Sequence, residues 1–573
     1  MSNISRRSFL AAIAGGAAAL STSLGYAAEV RKIRDPAAGE MDLILLNGKV
    51  ITVNPNDAIA DAVAVWDGKI VAVGATQDIR KLAGSSTRVI DLGGKCVTPG
   101  LVDSHLHVIY YGQQFREGML DVRFPKARSK QDLLQLVAGH ARITPKGQWI
   151  VGNQGFSLSA EGVPSLTELD AVAPEHPLYL KDRSGQFSLV NTLALRDAGI
   201  MKDTRDPLNS KIGRASNGAP NGLLFHYPAE QMVQRRIPGY GVHSEADVIE
   251  GQRRALAAGY TSTQDVIVMQ QEAIDNYRAA KRAGALKTRL YLMRYLAAEQ
   301  QLQAVLARQE RFSDEWLTFG GWKLAIDGGG GAGTQLMYDR SLRVANRSYS
   351  FFEQDVFNRM VLQLHRTGLQ IAIHAVGDRA VDMAINAYEA ALQASPRPNH
   401  RHRIEHAMFV TPQALERIKR LGIVISTQPQ WIAFHGEAQH MGTSDAAMER
   451  FFPLRSMMDM GIPVAFGCDV PATIMVEPRY AFIGAVTRTN RGGYVPAPGE
   501  RISIRDALRM HTMGSAYASF EENIKGSIEP GKLADLVVWS HDIYTASPRE
   551  LAELKPLTTI VDGKVVYEGL NTA

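Results

Sequence analysis

Apolar stretches of strand length alternate with helical patterns along most of this chain, and that alternation limits its fold more than any other feature. Eight stretches read as strands: GLVDSHLHV, YTSTQDVIV, TRLYLMRYL, FGGWKLAID, LQIAIHAVG, RHRIEHAMF, GIVISTQPQ and IPVAFGCDV. Helical patterns such as DRAVDMAINAYEAALQ and TPQALERIKRLG follow strands. Strand–helix units in series predict an α/β fold, a (β/α)8 TIM-like barrel at about 99–519 with its active site at the C-terminal ends of the strands. The interval between the first two strands is too long for a loop, which predicts an inserted subdomain at about 112–245 over the barrel mouth.

Both ends of the chain carry a different signal. Asn47-Gly48-Lys49, Asp67-Gly68-Lys69 and Asp562-Gly563-Lys564 are each bordered by β-branched residues. Asn-Gly and Asp-Gly favour type I′ hairpins. Since the patterns match, the two ends are expected to meet in one composite β-sandwich, from 41–98 and 520–570.

At the start, Arg6-Arg7 precede Ser8-Phe9-Leu10, an apolar segment and a small-residue site near Ala27 or Ala28. This predicts a cleaved twin-arginine signal peptide over 1–28, use of the Tat export machinery and a periplasmic location. No other segment is long and apolar enough to span a bilayer. The 63 Lys and Arg against 58 Asp and Glu are spread without basic blocks, which argues against nucleic-acid binding. Two cysteines, Cys96 and Cys468, exclude a disulfide framework and a Cys-rich metal site.

The polar residues on the strands carry the chemistry. His105 and His107 are two apart on the first strand, so a period of two puts both on one face. Lys323 is on the fourth, His374 on the fifth, His406 on the sixth and Asp469 on the eighth, each near the C-terminal end. Four imidazoles and a carboxylate suit a divalent transition metal such as zinc. A lone lysine in an apolar run usually reaches water from an edge. In a dry pocket beside metal ions, the Lys323 amine would instead be pushed towards its neutral form. A neutral amine takes up carbon dioxide to give a carbamate, an anionic ligand able to bridge two ions.

The His-x-His strand, the lysine strand, the two single-histidine strands and the final aspartate resemble the amidohydrolase superfamily of metal-dependent hydrolases. HAVGDRAVD, HRIEHAMFV, FGCDVP and GSIEPGKLADLVVW resemble its YtcJ-like branch, amidohydrolase family 3, which includes N-substituted formamide deformylase. The resemblance spans about 41–570 and implies the barrel-plus-sandwich arrangement and, in members with two metals, a carboxylated lysine. Carried over, it has His105, His107 and Asp469 hold the first ion, carboxylated Lys323 bridge, and His374 and His406 hold the second. The chain departs from the family at Ser184-Gly185-Gln186, where Ser-Gly-His is frequent, at His226, where a glutamate is frequent, and at Cys468, where serine is usual.

The expected activity is hydrolysis of an amide-type C–N bond in a small molecule by a hydroxide bridging two zinc ions, with Asp469 as general base and then general acid. Asp265, Asp327 and Asp378 are candidates to orient the ligands. Gln186, His226, Trp431, His435 and Arg450 are candidate pocket residues. The scaffold does not fix the chemistry, so a metal-dependent lyase, hydratase or isomerase is the alternative to hydrolysis, and a non-enzymatic periplasmic metal- or ligand-binding protein is the third reading. A homo-oligomer is compatible with all three.

Overall fold

In the computed structural model the described residues are 41–569, apart from 157–161, 184, 209, 309, 331–332, 340–348, 435–442 and 474. The expected signal segment, 1–28, lies outside them. All eight expected strands form. They run Leu101–Leu106, Tyr260–Val268, Arg289–Tyr295, Leu317–Ala325, Gln370–Ala375, Arg403–His406, Val424–Thr427 and Val464–Phe466. They pair in chain order, every neighbouring pair parallel. The fourth strand is buried along its whole length, which fits an apolar run with helices outside it and packed side chains within.

Helices Asp378–Ala394 and Pro412–Leu421 cover the outside with faces of Val381, Ile385, Leu415 and Ile418. The second starts on the Thr411 side-chain cap and stops at Gly422, whose left-handed backbone only glycine adopts without strain. The barrel shuts where strand eight meets strand one. There the Asp469 N–H donates to the His105 carbonyl at 2.6 Å, and the His107 N–H to the Val470 carbonyl at 3.1 Å. Gly467 permits this approach, because a Cβ there would sit 2.5 Å from the His105 nitrogen.

The chain ends build two further sheets around Leu45, Val63, Val97, Leu536, Val538 and Ile560. One holds four strands from 43–91. The other joins Leu536–Trp539 antiparallel to Cys96–Pro99, with Val538 opposite Val97. Asp67-Gly68 and Asp562-Gly563 both have positive φ at both residues, as type I′ turns require. Asn47-Gly48 is a correction. Only Asn47 has positive φ, and the strands on either side, Leu43–Leu46 and Lys49–Ile51, belong to different sheets. Gly48 is instead pressed against Leu92, so this turn crosses between layers.

Between strands one and two lie a five-stranded sheet and several helices, with their own core of Val122, Leu133, Phe156, Leu180 and Phe187. Cys96 and Cys468 are buried and unlinked. No helix among the described residues is long and apolar enough to cross a membrane.

Candidate metal centre

Strand one ends with His105 and His107 turned to the same side, ring centroids 5.2 Å apart. Asp469 reaches both through one oxygen: Oδ1 is 3.4 Å from His105 Nε2 and 3.1 Å from His107 Nε2. Ligand atoms of these three residues all lie within 4.8 Å of one another. The His406 ring is 4.8 Å from His105, and the His374 ring 4.4 Å from His406. Four imidazoles and one carboxylate thus converge at the C-terminal ends of strands one, five, six and eight.

Lys323 completes the set from strand four. It is 1 % exposed, and its Nζ has no hydrogen-bond partner among the described residues. The edge position open to an isolated lysine does not occur. Burial lowers its pKa to about 8, with Arg403 adding to the effect and Glu405 and Asp469 opposing it. An amine so placed is uncharged more readily than one in water.

Three of the imidazoles, His105, His406 and His374, are held in the form that binds metal. Burial first, then the Lys323 charge, lowers His105 to about 4, and burial with His105 lowers His406 to about 3. His374 is also pushed well below its usual value, by burial, His406 and Lys323. Burial would raise the Asp469 carboxyl, but His105, the His107 hydrogen bond and His406 hold it well below the usual carboxylate range. Neutral imidazoles beside an ionised carboxylate are the ligand states a divalent cation needs.

Three of the four imidazoles have a ring nitrogen held by a neighbour, while His107 Nδ1 is buried without a hydrogen-bond partner among the described residues. His105 Nδ1 is 2.5 Å from Glu405 Oε2, and a carboxylate paired with arginine can only accept, so Nδ1 carries the proton and Nε2 faces the site. His406 Nδ1 donates to Gln428 Oε1 at 2.7 Å. His374 Nε2 lies 3.3 Å from the Gly328 carbonyl and 3.5 Å from Asp327 Oδ1. Asp327 also receives the N–H groups of Leu336, Val376 and Gly377, tying the loop after strand four to the end of strand five. Asp265 accepts from the Tyr277 hydroxyl and the Ile267 N–H. Asp378 holds no ligand. It receives the Tyr338 and Arg379 N–H groups at a helix start.

Glu405, Arg403, Gln428 and Asp103 complete the support and were not among the residues expected from sequence. Arg403 grips Glu405 with Nε and Nη2 at 2.7 and 2.9 Å, and both residues are 0 % exposed. Asp103 receives the His105 and Cys468 N–H groups at 2.9 and 3.1 Å, and burial raises its pKa to about 7. The visible signal was an acidic residue inside each of two strands, Asp103 in LVDSHL and Glu405 in RIEH.

The pocket candidates divide. The inserted segment brings Gln186 and His226 against the glycines after strand four. A Cβ on Gly329 would meet Gln186 Cγ at 3.1 Å, and one on Gly328 would meet His226 Cε1 at 3.0 Å. His226 has φ 65° and ψ 159°, a region other residues enter at a cost of about 1–3 kcal/mol. Trp431 belongs to the turn that carries Gln428, with the Arg183 guanidinium 5.4 Å over its ring. Arg450 turns to Asp378, 3.5 Å away, rather than to the imidazoles. His435 lies outside the described residues.

Known proteins are similar to this chain over most of its length. The chain is 29% identical over 558 residues to Protein LONG AFTER FAR-RED 3 of Arabidopsis thaliana, covering 95% of this chain and 94% of that protein. It is 29% identical to N-substituted formamide deformylase of Arthrobacter pascens, covering 92% and 98%, and 27% identical to putative amidohydrolase YtcJ of Bacillus subtilis (strain 168), covering 92% and 100%. Among solved structures, an uncharacterized metal-dependent hydrolase from Pyrococcus horikoshii OT3 superposes with a TM-score of 0.70 at 24% identity, covering 88% of this chain and 99% of that one. That likeness concerns the fold. The amidohydrolase family model matches residues 88–567, and this chain belongs to that family.

Proposed function

We propose that this protein hydrolyses an amide-type C–N bond of a small molecule, using divalent metal, with two zinc ions as the favoured complement. The observation that carries the reading is Lys323, a buried amine without a hydrogen-bond partner among the described residues, beside four imidazoles and an ionised carboxylate. Such a donor set fits metal, and its buried, uncharged rings have few other uses. His105, His107 and Asp469 would hold one ion, His374 and His406 the other, and Lys323, as its carbamate, would bridge them. The metal, when bound, supplies Lewis-acid activation of water and of the substrate carbonyl.

The residues of the chain do the rest. Glu405 keeps the Nδ1 proton of His105 in place, so the ring does not change tautomer during turnover. Asp469, ionised at rest, would take the proton of the attacking water, become transiently protonated and deliver it to the departing amine nitrogen. Gln186 and His226, leaning on the loop after strand four, wall the pocket on the His374 side and exclude bulk water there.

The identity to a formamide deformylase across nearly all of both chains supports a C–N substrate over a lyase reaction. The expected signal over 1–28 supports a periplasmic location after Tat export. The test is metal removal by chelation, measurement of amide hydrolysis across a panel of N-acyl amines, and restoration with zinc. Hydrolysis that persists at full rate without metal refutes the reading.

A further inference from the structure

Strand seven supplies none of the proposed ligands, yet the turn at its end braces the ligand-bearing strands on both sides. Towards strand six, Thr427 Oγ1 donates to the His406 carbonyl at 2.8 Å, and Gln428 takes the His406 Nδ1 proton. Towards strand eight, the Thr427 carbonyl accepts from the Gly467 N–H at 3.0 Å. Gln430 continues in that direction. Its Nε2 donates to the Cys468 carbonyl and, at 2.8 Å, to Thr473 Oγ1, whose own proton goes to the same carbonyl at 2.6 Å. Both amide N–H groups and the hydroxyl proton are spent in this closed ring. The amide cannot be turned round, since Oε1 in place of Nε2 would set one acceptor against another.

The ring grips the peptide that precedes Asp469. The Cys468 N–H goes to Asp103 at 3.1 Å, the Asp469 N–H to the His105 carbonyl at 2.6 Å, and the Asp469 carbonyl accepts from the Thr473 N–H at 3.0 Å. The peptide units on either side of Asp469 are thus both held, and the φ of 57° is set between them. A left-handed step at a residue other than glycine persists where its surroundings over-determine it. This step decides where the carboxylate points, and it points Oδ1 at both His105 and His107.

Gln430 is itself 0 % exposed, and the turn has no room to shift: a Cβ on Gly484 would lie 2.1 Å from the Pro429 carbonyl oxygen. Its Oε1 is buried without a hydrogen-bond partner among the described residues. A buried carbonyl left unmet weakens a fold, so a side chain that only filled this space would do better without one. What the amide contributes is the pair of bonds made by Nε2.

We propose that Gln430 is a positioning residue for Asp469: together with Thr473 it fixes the Cys468 carbonyl and so aims the carboxylate at the two imidazoles of strand one. The assignment rests on the reading above, in which Asp469 holds metal and moves the proton.

Gln430→Met removes the N–H groups at similar size. Zinc affinity is read by competition with a chromophoric chelator, and turnover on acetanilide and para-nitroacetanilide, each with Asp469 present and in Asp469→Asn. With Asp469 present, Gln430→Met should weaken zinc binding about tenfold. It should lower kcat on acetanilide by about 10–30-fold with little change in KM. The loss on para-nitroacetanilide should be only about threefold, because the better leaving group depends less on the delivered proton. In the Asp469→Asn background the same substitution should change either quantity by less than about twofold, as expected of a residue that acts through Asp469. Thr473→Val should behave like Gln430→Met and Thr473→Ser like the native protein, which gives the same comparison should Gln430→Met not fold.

Coupling to Asp469 in either measurement supports the assignment. If zinc affinity shows it while neither anilide is cleaved, the hydrolytic reading fails and the role of Gln430 stands. If the anilides are cleaved but the losses multiply in both measurements, or the variants match the native protein, the role of Gln430 is overturned and the hydrolytic reading stands. A native protein that neither binds zinc nor cleaves an anilide overturns both.

Discussion

Glu405 receives the Nδ1 proton of His105 on the same carboxylate that Arg403 grips from the side, so one buried anion serves both a candidate metal ligand and a buried cation. Arg403 in turn reaches Gln264 and the Ser104 carbonyl across the barrel interior. The orientation of His105 therefore depends on a charge pair whose members cannot be removed singly without exposing the other to an apolar surrounding.

Glu405→Gln should thus have two separable effects. Metal affinity, read by competition with a chromophoric chelator, should fall by about 10–100-fold because His105 loses its orienting acceptor. Stability should fall by about 3–5 kcal/mol because Arg403 is left unpaired, read by denaturant unfolding of metal-free protein. Arg403→Met combined with Glu405→Gln should recover much of the stability and none of the affinity. Equal recovery of both would mean that His105 is held by packing alone.

Lys323→Ala should reduce metal content and activity together. A small carboxylate such as propionate should restore part of each, since it can enter the space left by the side chain. The same anion should raise the melting temperature of the variant and not of the native protein, because only the variant has a site for it. No rescue and unchanged metal content would show that Lys323 bears no ligand role.

Asp469→Asn preserves shape and removes the proton acceptor. Turnover should fall by about 10²–10⁴-fold, mainly in kcat, with metal partly retained. A change confined to KM would move the proton-transfer role to another group.

Acid should weaken the opposite end of the barrel. His402 accepts from the Ile371 N–H at Nδ1, lies 2.9 Å from His365 Nδ1 at Nε2, faces Arg397 at 3.2 Å and stacks on Tyr388. Burial and neighbouring cations depress His402 and His365, and His400 to about 4. An imidazole depressed by folding takes up a proton on unfolding between its folded value and the unfolded value near 6.5, so stability present above about 6.5 is lost as pH falls towards about 4. His402→Asn keeps an acceptor for Ile371 and should flatten that loss in melting curves of metal-free protein. An unchanged slope would place the acid-sensitive groups elsewhere.

Strands were legible because a buried parallel strand leaves a largely apolar run, as in FGGWKLAID, whose strand covers Leu317–Ala325 and is buried throughout. The six polar residues were legible because each interrupts such a run near its end. The support around them was not. Glu405 and Arg403 stand beside His406 on one short strand, and simple alternation would put His406 on the face opposite Glu405. His406 instead has φ 72°, and this left-handed step at the strand end turns its ring inward as well. Asp469 does the same with φ 57°. A period of two cannot anticipate such a step, nor can it tell that Asn47-Gly48 changes sheets, because both depend on what lies against the backbone.

The seam that shuts the barrel joins His105 to Asp469, and His107 to Asp469 lies 362 positions apart in the chain. During synthesis the first two imidazoles emerge long before their carboxylate. A nascent chain that ends before Asp469 has neither the seam nor the three-residue cluster, so premature termination leaves that cluster without its carboxylate. Completion of the His105, His107 and Asp469 cluster is for this reason a record that translation passed the eighth strand and that the two edges of the sheet met.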